Sequence, residues 1–313
     1  MTSAPTLPPQ LRPGDRVAIV APASPPRGHA MLAAGRERLE QLGLAVSVGR
    51  HVMCEYGYLA GSDRERLGDL EAAFRDPSIK GIFCARGGYG VSRLMARFDP
   101  GVARRHPKVL VGFSDITILH LALQKAGVVS FWGPMPCTSL GLTAFSVRAL
   151  RRVLMSAEPA GRVPFSRGRP PKVLRPGVGE GPLTGGTLSL MAASLATPYE
   201  IDTRGRIVFM EDVDEEPYRI DRLLAQLIAA GKLADASGIA LGIFTGTRPR
   251  NPPGRRSLRL DEVFADHLLP LKVPLLANIA VGHVRDQLTL PYGVAARLDA
   301  RAGTLELLQA AVA

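Results

Sequence analysis

The chain has a single tryptophan, aromatic residues make up only 5% of its 313 positions, and it carries just three cysteines. It also lacks any apolar run approaching the roughly 18 to 20 residues that a membrane helix needs. The opening MTSAPTLPPQLRPGD contains no apolar signal core, so no membrane partner and a cytoplasmic location are expected. Cys54, Cys84 and Cys137 are an odd number without metal-ligand spacing, so nothing suggests a disulfide framework or a zinc site. Cys84 and Cys137 lie inside apolar stretches, where a thiol packs as a small hydrophobe. H-E-x-x-H, paired C-x-x-C, an acidic calcium loop and the Gly-Lys-Ser/Thr of a P-loop are all missing. No metal and no cofactor are therefore expected.

Other features are present in abundance. The length allows two domains with their own cores, since single cores stop growing at about 250 to 300 residues. Net charge is +11, but arginine is spread along the whole chain, with local clusters at RRHPK, RALRR and RPRNPPGRRSLR, and no nucleic-acid module accompanies it. A solvated basic surface, able to attract an anionic substrate, fits this pattern better than a nucleic-acid partner.

Along the chain, RVAIVAPAS reads as a buried strand running into a small-residue loop. It is followed by a helix over PPRGHAMLAAGRERLEQLGL, a strand at AVSVG and a Ser-Asp-capped helix over SDRERLGDLEAAFRDPSI. Strand and glycine loop at KGIFCARGGYG, helix at VSRLMARFD, strand at KVLVGFSD and helix at ITILHLALQKAG continue the alternation. Strands alternating with helices imply a parallel, doubly wound α/β sheet. From 161 to 181 the composition turns to GRVPFSRGRPPKVLRPGVGEG, a linker by its proline, glycine and arginine content. The expected organisation is an amino-terminal domain over 1–160, a linker over 161–181 and a smaller mixed α/β domain over 182–313.

In a parallel sheet, ligands gather at the carboxyl ends of the strands. Ser114 follows such a strand, with Gly112 two residues earlier and a helix starting after it. This is the shape of a nucleophile elbow, except that Ile116 replaces the second glycine of G-x-S-x-G. Taken alone, the stretch supports a capping role for Ser114 or Asp115 more strongly than catalysis. A serine nucleophile needs a base. Among His29, His51, His106, His120, His267 and His283, the last stands out, because NIAVGHVRDQLTLPYG reads as a strand ending at Gly282-His283. His120 lies on the elbow's own helix, a structural position. An orienting acid would come from the run after Ile207–Met210, with Glu211 nearest the strand end and Asp212 and Glu216 as competitors. Arg86-Gly87-Gly88-Tyr89-Gly90 also follows a strand directly, and paired glycines let amides approach an anion closely. A plain turn is the ordinary alternative.

Taken in order, RPGDRVAIVAPAS, ARGGYGVSRL, GFSDITILHLAL, GGTLSLMAASLATPYEID, VFMEDVDEEPYRIDRLLAQL and VGH resemble the LD-carboxypeptidase family. That family includes the cytoplasmic murein tetrapeptide carboxypeptidases and relatives that give self-immunity to microcin C. The resemblance implies an amino-terminal domain like class I glutamine amidotransferases, a swivelling carboxy-terminal β/β/α domain and a homodimer. It also implies a serine peptidase whose triad, Ser114, Glu211 and His283, is drawn from both domains. The oxyanion would be held by the backbone amides of Asp115 and Gly88, with Arg86 and Gly87 as substrate-binding candidates. The implied activity is release of the terminal D-alanine from murein tetrapeptides during peptidoglycan recycling. Hydrolysis of peptidyl or aminoacyl nucleotides and a non-catalytic basic binding protein are the alternatives. Where many members read Gly-Gly-Asn-Leu, this chain has Gly185-Gly186-Thr187-Leu188, which removes whatever contact the amide side chain makes.

Overall fold

The computed structural model describes residues 4–250 and 256–313; residues 1–3 of the amino-terminal lead and 251–255 within the third arginine cluster lie outside them. Contacts divide the chain into two units, one comprising Met1–Ala160, Arg285–Val294 and Gln309–Ala313, the other Gly161–Val284 and Ala295–Leu308. The segments 285–294 and 309–313, read from sequence as part of a continuous second domain, are therefore built into the first unit.

In the first unit, strands β1 (Arg16–Val20), β2 (Ala45–Val48), β3 (Ile79–Cys84), β4 (Val109–Gly112) and β5 (Phe131–Trp132) are parallel and lie in the order β2-β1-β3-β4-β5. A late two-residue strand, β12 (Leu290–Pro291), pairs antiparallel with β5 at the sheet's edge. Val17, Ile19, Val20, Ile82, Phe83, Val109 and Val111 are all buried, as unbroken apolar runs must be in strands covered on both faces. The order reverses between β1 and β3, and such a switch point opens a crevice at the strands' carboxyl ends. Two of this unit's helices begin on side-chain caps, from Ser62 and Thr143. Helix α1 spans His29–Glu40, and α2 (Asp63–Arg75) starts on a reciprocal capping box between Ser62 and Glu65. The helix read over VSRLMARFD closes after one turn, α3 (Val91–Leu94), and a separate helix, α4 (Gly101–Arg105), follows Pro100. Proline disfavours the helical conformation in the residue before it, here Asp99, so the two turns do not merge. Helix α5 (Thr117–Lys125) follows a short 3-10 turn at Ser114–Ile116, and α6 covers Ala144–Leu154.

The second unit contains an eight-stranded mixed sheet. It is formed by β6 (Gly161–Arg162), β7 (Lys172–Arg175), β8 (Val178–Thr187), β9 (Ile207–Glu211), β10 (Gly238–Leu241), β11 (Leu275–Ala277), β13 (Ala295–Asp299) and β14 (Thr304–Leu307). Their order is β6-β14-β13-β8-β9-β10-β11-β7, with β8 to β11 mutually parallel and the flanking pairs antiparallel. Helices α7 (Leu188–Ala193), α8 (Pro217–Ala229) and α9 (Leu260–Leu268) complete it. The stretch 161–181 is thus not a linker, since it supplies β6, β7 and the first residues of β8. Its glycines reflect close packing rather than flexibility. A β-carbon on Gly179 would lie 1.8 Å from the Ser237 carbonyl oxygen, and one on Gly181 would lie 2.1 Å from that of Gly205. The strand expected to run to His283 also ends early, at Ala277, because Asn278 takes a φ of 70°. The chain then returns to the sheet through a single bridge between Ile243 and Gly282.

Candidate active site

Each unit gathers one cluster of the residues singled out from sequence. In the first, Ser114 follows β4 with a φ of 62°, in the left-handed region where a non-glycine residue is strained. Ser114 stays partly accessible, while Phe113, Asp115 and Ile116 around it are buried. A β-carbon on Gly112 would lie 2.8 Å from Ile116 Cγ2, so the isoleucine that replaces the elbow's second glycine sits in the space left by the first.

His120 fixes this turn from beneath. Its Nε2 is 2.9 Å from the Gly112 carbonyl and its Nδ1 is 2.9 Å from Ser130 Oγ. A carbonyl only accepts, so Nε2 carries the proton and Ser130 donates to Nδ1. The ring stacks on Tyr292 at 4.7 Å, and burial pushes its pKa down to about 4, partly offset by the Gly112 bond. A neutral, fully buried imidazole with both nitrogens engaged is structural, in agreement with its place on the elbow's helix.

The glycine loop lies directly against the serine. A β-carbon on Gly87 would come within 2.8 Å of Ser114 Cβ, 3.0 Å of its Oγ and 3.3 Å of the Asp115 amide nitrogen. Gly88 has a φ of 108°, and a β-carbon there would strike Ser24 Oγ at 2.2 Å. Ser24, on the loop after β1, receives the Tyr89 amide at 3.4 Å, donates to the Tyr58 carbonyl at 2.6 Å and gives its own amide to Gly87. The ends of β1, β3 and β4 thereby meet at the switch point. Arg86 bonds the Pro25 carbonyl at 3.4 Å, and burial followed by the nearby Arg27 charge lowers its pKa.

Asp115 does not cap its own helix. Its Oδ2 accepts the amide of Val91 at 2.8 Å, at the start of α3, and no side-chain cap is formed on the turn that contains it. Burial raises its pKa to about 6, against the lowering effects of the Val91 amide, the Arg66 charge and the Gly90 amide. The elbow and the glycine loop are thus joined by side chain as well as by packing.

In the second unit, Glu211 ends β9 with no solvent exposure and His283 faces it, with Nδ1 2.9 Å from Oε2. An ionised carboxylate can only accept, so the proton rests on Nδ1 and the basic nitrogen of the neutral ring is Nε2. Burial opposes protonation of His283, but its bond to Glu211 and the charges of Glu211, Asp212 and Asp214 raise its pKa overall. The other carboxylate oxygen, Oε1, accepts the hydroxyl of Thr187 at 2.6 Å. The competing acids are otherwise engaged. Asp212 accepts the amides of Ser189 and Val213, both at 2.8 Å, and Glu216 accepts that of Arg250 at 2.8 Å. Burial, with Glu211 adding to it, lifts Asp212 to about 6.

Ser24 and Thr187 were not foreseen as site residues. Nothing in APAS marks a serine that would bear on Gly88, whereas Thr187 carried a signal as the departure from Gly-Gly-Asn-Leu. Among the described residues no group of three or more histidine, cysteine, aspartate or glutamate side chains is arranged to hold a metal ion.

An α/β scaffold with an elbow serine and a carboxylate-oriented histidine has the components of a serine hydrolase. The sequence matches the model of the LD-carboxypeptidase N-terminal domain over residues 17–133 and that of the LD-carboxypeptidase C-terminal domain over residues 180–298. It is 41% identical over 296 residues to a probable murein peptide carboxypeptidase of Bacillus subtilis, covering 93% of this chain and 91% of that one. It is 34% identical to the murein tetrapeptide carboxypeptidase of Pseudomonas aeruginosa, covering 96% of this chain and 98% of that one. The crystal structure of the muramoyltetrapeptide carboxypeptidase from Oxalobacter formigenes superposes with a TM-score of 0.80 at 29% identity, covering 93% and 97% of the two chains. The wild-type microcin C7 self-immunity protein MccF shares the fold, with a TM-score of 0.85 at 20% identity and coverage of 99% and 100%. The chain belongs to the LD-carboxypeptidase family and is an enzyme of its carboxypeptidase class.

Proposed function

We propose that the protein removes the terminal D-alanine from murein tetrapeptides, with Ser114 as nucleophile, His283 as general base and Glu211 as its orienting acid. The observation that carries this is the Glu211–His283 pair. A fully buried carboxylate 2.9 Å from Nδ1 leaves Nε2 as the proton acceptor. The Ser114 hydroxyl attacks the carbonyl of the residue before D-alanine, and its proton passes to Nε2. The amides of Asp115 and Gly88 stabilise the oxyanion. Nε2 then protonates the amine of D-alanine, which departs. Water, deprotonated by the same nitrogen, cleaves the acyl-serine to give the tripeptide.

Arg86 and Gly87, beside this serine, contact the substrate, with the Arg86 guanidinium suited to its terminal carboxylate. In keeping with the β2-β1-β3-β4-β5 order, the first unit is taken as class I glutamine amidotransferase-like and the second as a swivelling β/β/α unit. The working form is taken to be a cytoplasmic homodimer. Mass-spectrometric product analysis with defined diaminopimelate and lysine tetrapeptides provides the test. Wild type should release D-alanine without added metal and in the presence of chelator. Ser114→Ala should lose turnover by several orders of magnitude, as removal of one triad member does, by roughly a million-fold in the best-studied case. Near-normal release by Ser114→Ala would overturn the assignment. Turnover of aminoacyl sulfamoyl adenosine but not tetrapeptide would move the chain to the nucleotide-hydrolysing alternative.

A further inference from the structure

Thr187 stands at the junction of β8 and α7, and β8 pairs with β9 in a register that places Thr187 opposite Glu211. Its hydroxyl, buried with the residue, donates to Glu211 Oε1 at 2.6 Å, while Oε2 accepts His283 Nδ1 at 2.9 Å. A carboxylate with one oxygen held in this way cannot rotate without losing a bond in a buried setting, where an unmet acceptor is costly. The same turn also holds the neighbouring acid, because the Ser189 amide donates to Asp212 Oδ2 at 2.8 Å. We propose that Thr187 is a positioning residue for the reaction. Its hydroxyl fixes the Glu211 carboxylate so that the second oxygen remains on Nδ1 of His283, and it draws off part of the charge felt by the imidazole. The proposal rests on the assignment of Glu211 and His283 as acid and base, and it gives this chain's threonine a function of its own at the Gly-Gly-Thr-Leu step.

Glu211, Asp212 and Asp214 act on His283 from within its unit, and all three are acidic. Removing the hydroxyl takes a donor from Oε1, so more of the carboxylate's charge is felt by the imidazolium, which is then held more tightly. The acidic limb of activity should then move to higher pH.

The test uses the full chain with Thr187→Val, which keeps the shape without the donor, and Thr187→Ser, which keeps the donor. Nitrogen-15 NMR of the imidazole reads the His283 titration and tautomer with no substrate present, so it remains valid if the peptidase assignment fails. Thr187→Val should raise the His283 titration midpoint by about half to one pH unit. It should also lower kcat roughly tenfold to a hundredfold with little change in KM, the size of loss seen when orienting partners of metal-bound histidines are removed. Thr187→Ser should match wild type in both readouts. A folded Thr187→Val with an unchanged midpoint and tautomer overturns the proposal, even if its activity falls. If Thr187→Val does not fold, Thr187→Ala serves in its place under the same criterion, and a Thr187→Ser protein with a shifted midpoint overturns it as well.

Discussion

The carboxylate of Asp115 accepts the amide of Val91 at 2.8 Å, so the turn carrying Ser114 also caps the short helix that ends the glycine loop. Asp115→Ala removes that cap and leaves the Val91 amide unpaired. A loss of about 1 to 2 kcal/mol is expected by urea unfolding, with Asp115→Asn, which retains an acceptor, losing less. D-alanine release should fall in the same order, because the loop positioning Gly88 depends on the bond. Equal stability of all three proteins would refute this.

Gly87 should not tolerate a side chain. Its backbone is outside the left-handed region, but the new methyl would sit 2.8 Å from Ser114 Cβ, 3.0 Å from its Oγ and 3.3 Å from the Asp115 amide, so the serine turn must shift to admit it. The displaced serine should cost turnover at least about a hundredfold, comparable to losing an oxyanion donor. Unimpaired kcat/KM in Gly87→Ala would show that the loop lies elsewhere in the working enzyme.

His120 makes a pH-dependent contribution to stability. Its pKa is about 4 when folded against an ordinary value of 6.5, so the unfolded chain binds the extra proton between those pH values. Stability contributed by the neutral ring is fully present above 6.5 and is lost as pH falls through that window. The stability advantage of wild type over His120→Gln should therefore shrink by on the order of 3 kcal/mol on acidification from neutrality to pH 4. Comparing the two proteins removes Asp115 and Asp212, which act in the opposite direction: their raised pKa values favour the folded state at low pH. A constant difference across the range would contradict the buried neutral assignment.

Activity should follow the ionisation of His283. Its pKa is raised above the ordinary 6.5, so kcat/KM should climb with pH through a midpoint above 6.5 as the proposed base loses its proton. Glu211→Gln should cost roughly ten-thousandfold in kcat, the penalty for losing the acid that sets the tautomer. A profile flat from pH 5 to 8 would remove His283 from the base role.

Much of the first unit could be read from sequence because its central strands are largely apolar and some helices have a local start signal, such as the Ser62–Glu65 box. The errors arose where a long-range contact decides. Gly179 and Gly181 looked like linker residues, yet they are small because carbonyls of Ser237 and Gly205 press on them. The strand before His283 ends earlier than its apolar run suggests because Asn278, an ordinary polar residue in sequence, takes a positive φ in the fold. For the site, strand-end position was enough to select Ser114, Glu211 and His283 as candidates. Ser24 gives no local signal because its partners Tyr58 and Tyr89 lie on distant loops, and the departure at Thr187 does not name Glu211, which strand register brings opposite it.

The chain path bears on how the protein is made. Strand β12, which covers the Phe131–Trp132 edge of the first sheet, is separated from it in sequence by all of 161–284. During synthesis the first unit must wait with that edge unpaired until residues 290–291 emerge, well over a hundred codons later. An unprotected strand edge invites pairing with other chains. Expression of residues 1–160 alone would keep the molecule in that waiting state, so the nascent protein's need for chaperones should be greatest in this interval.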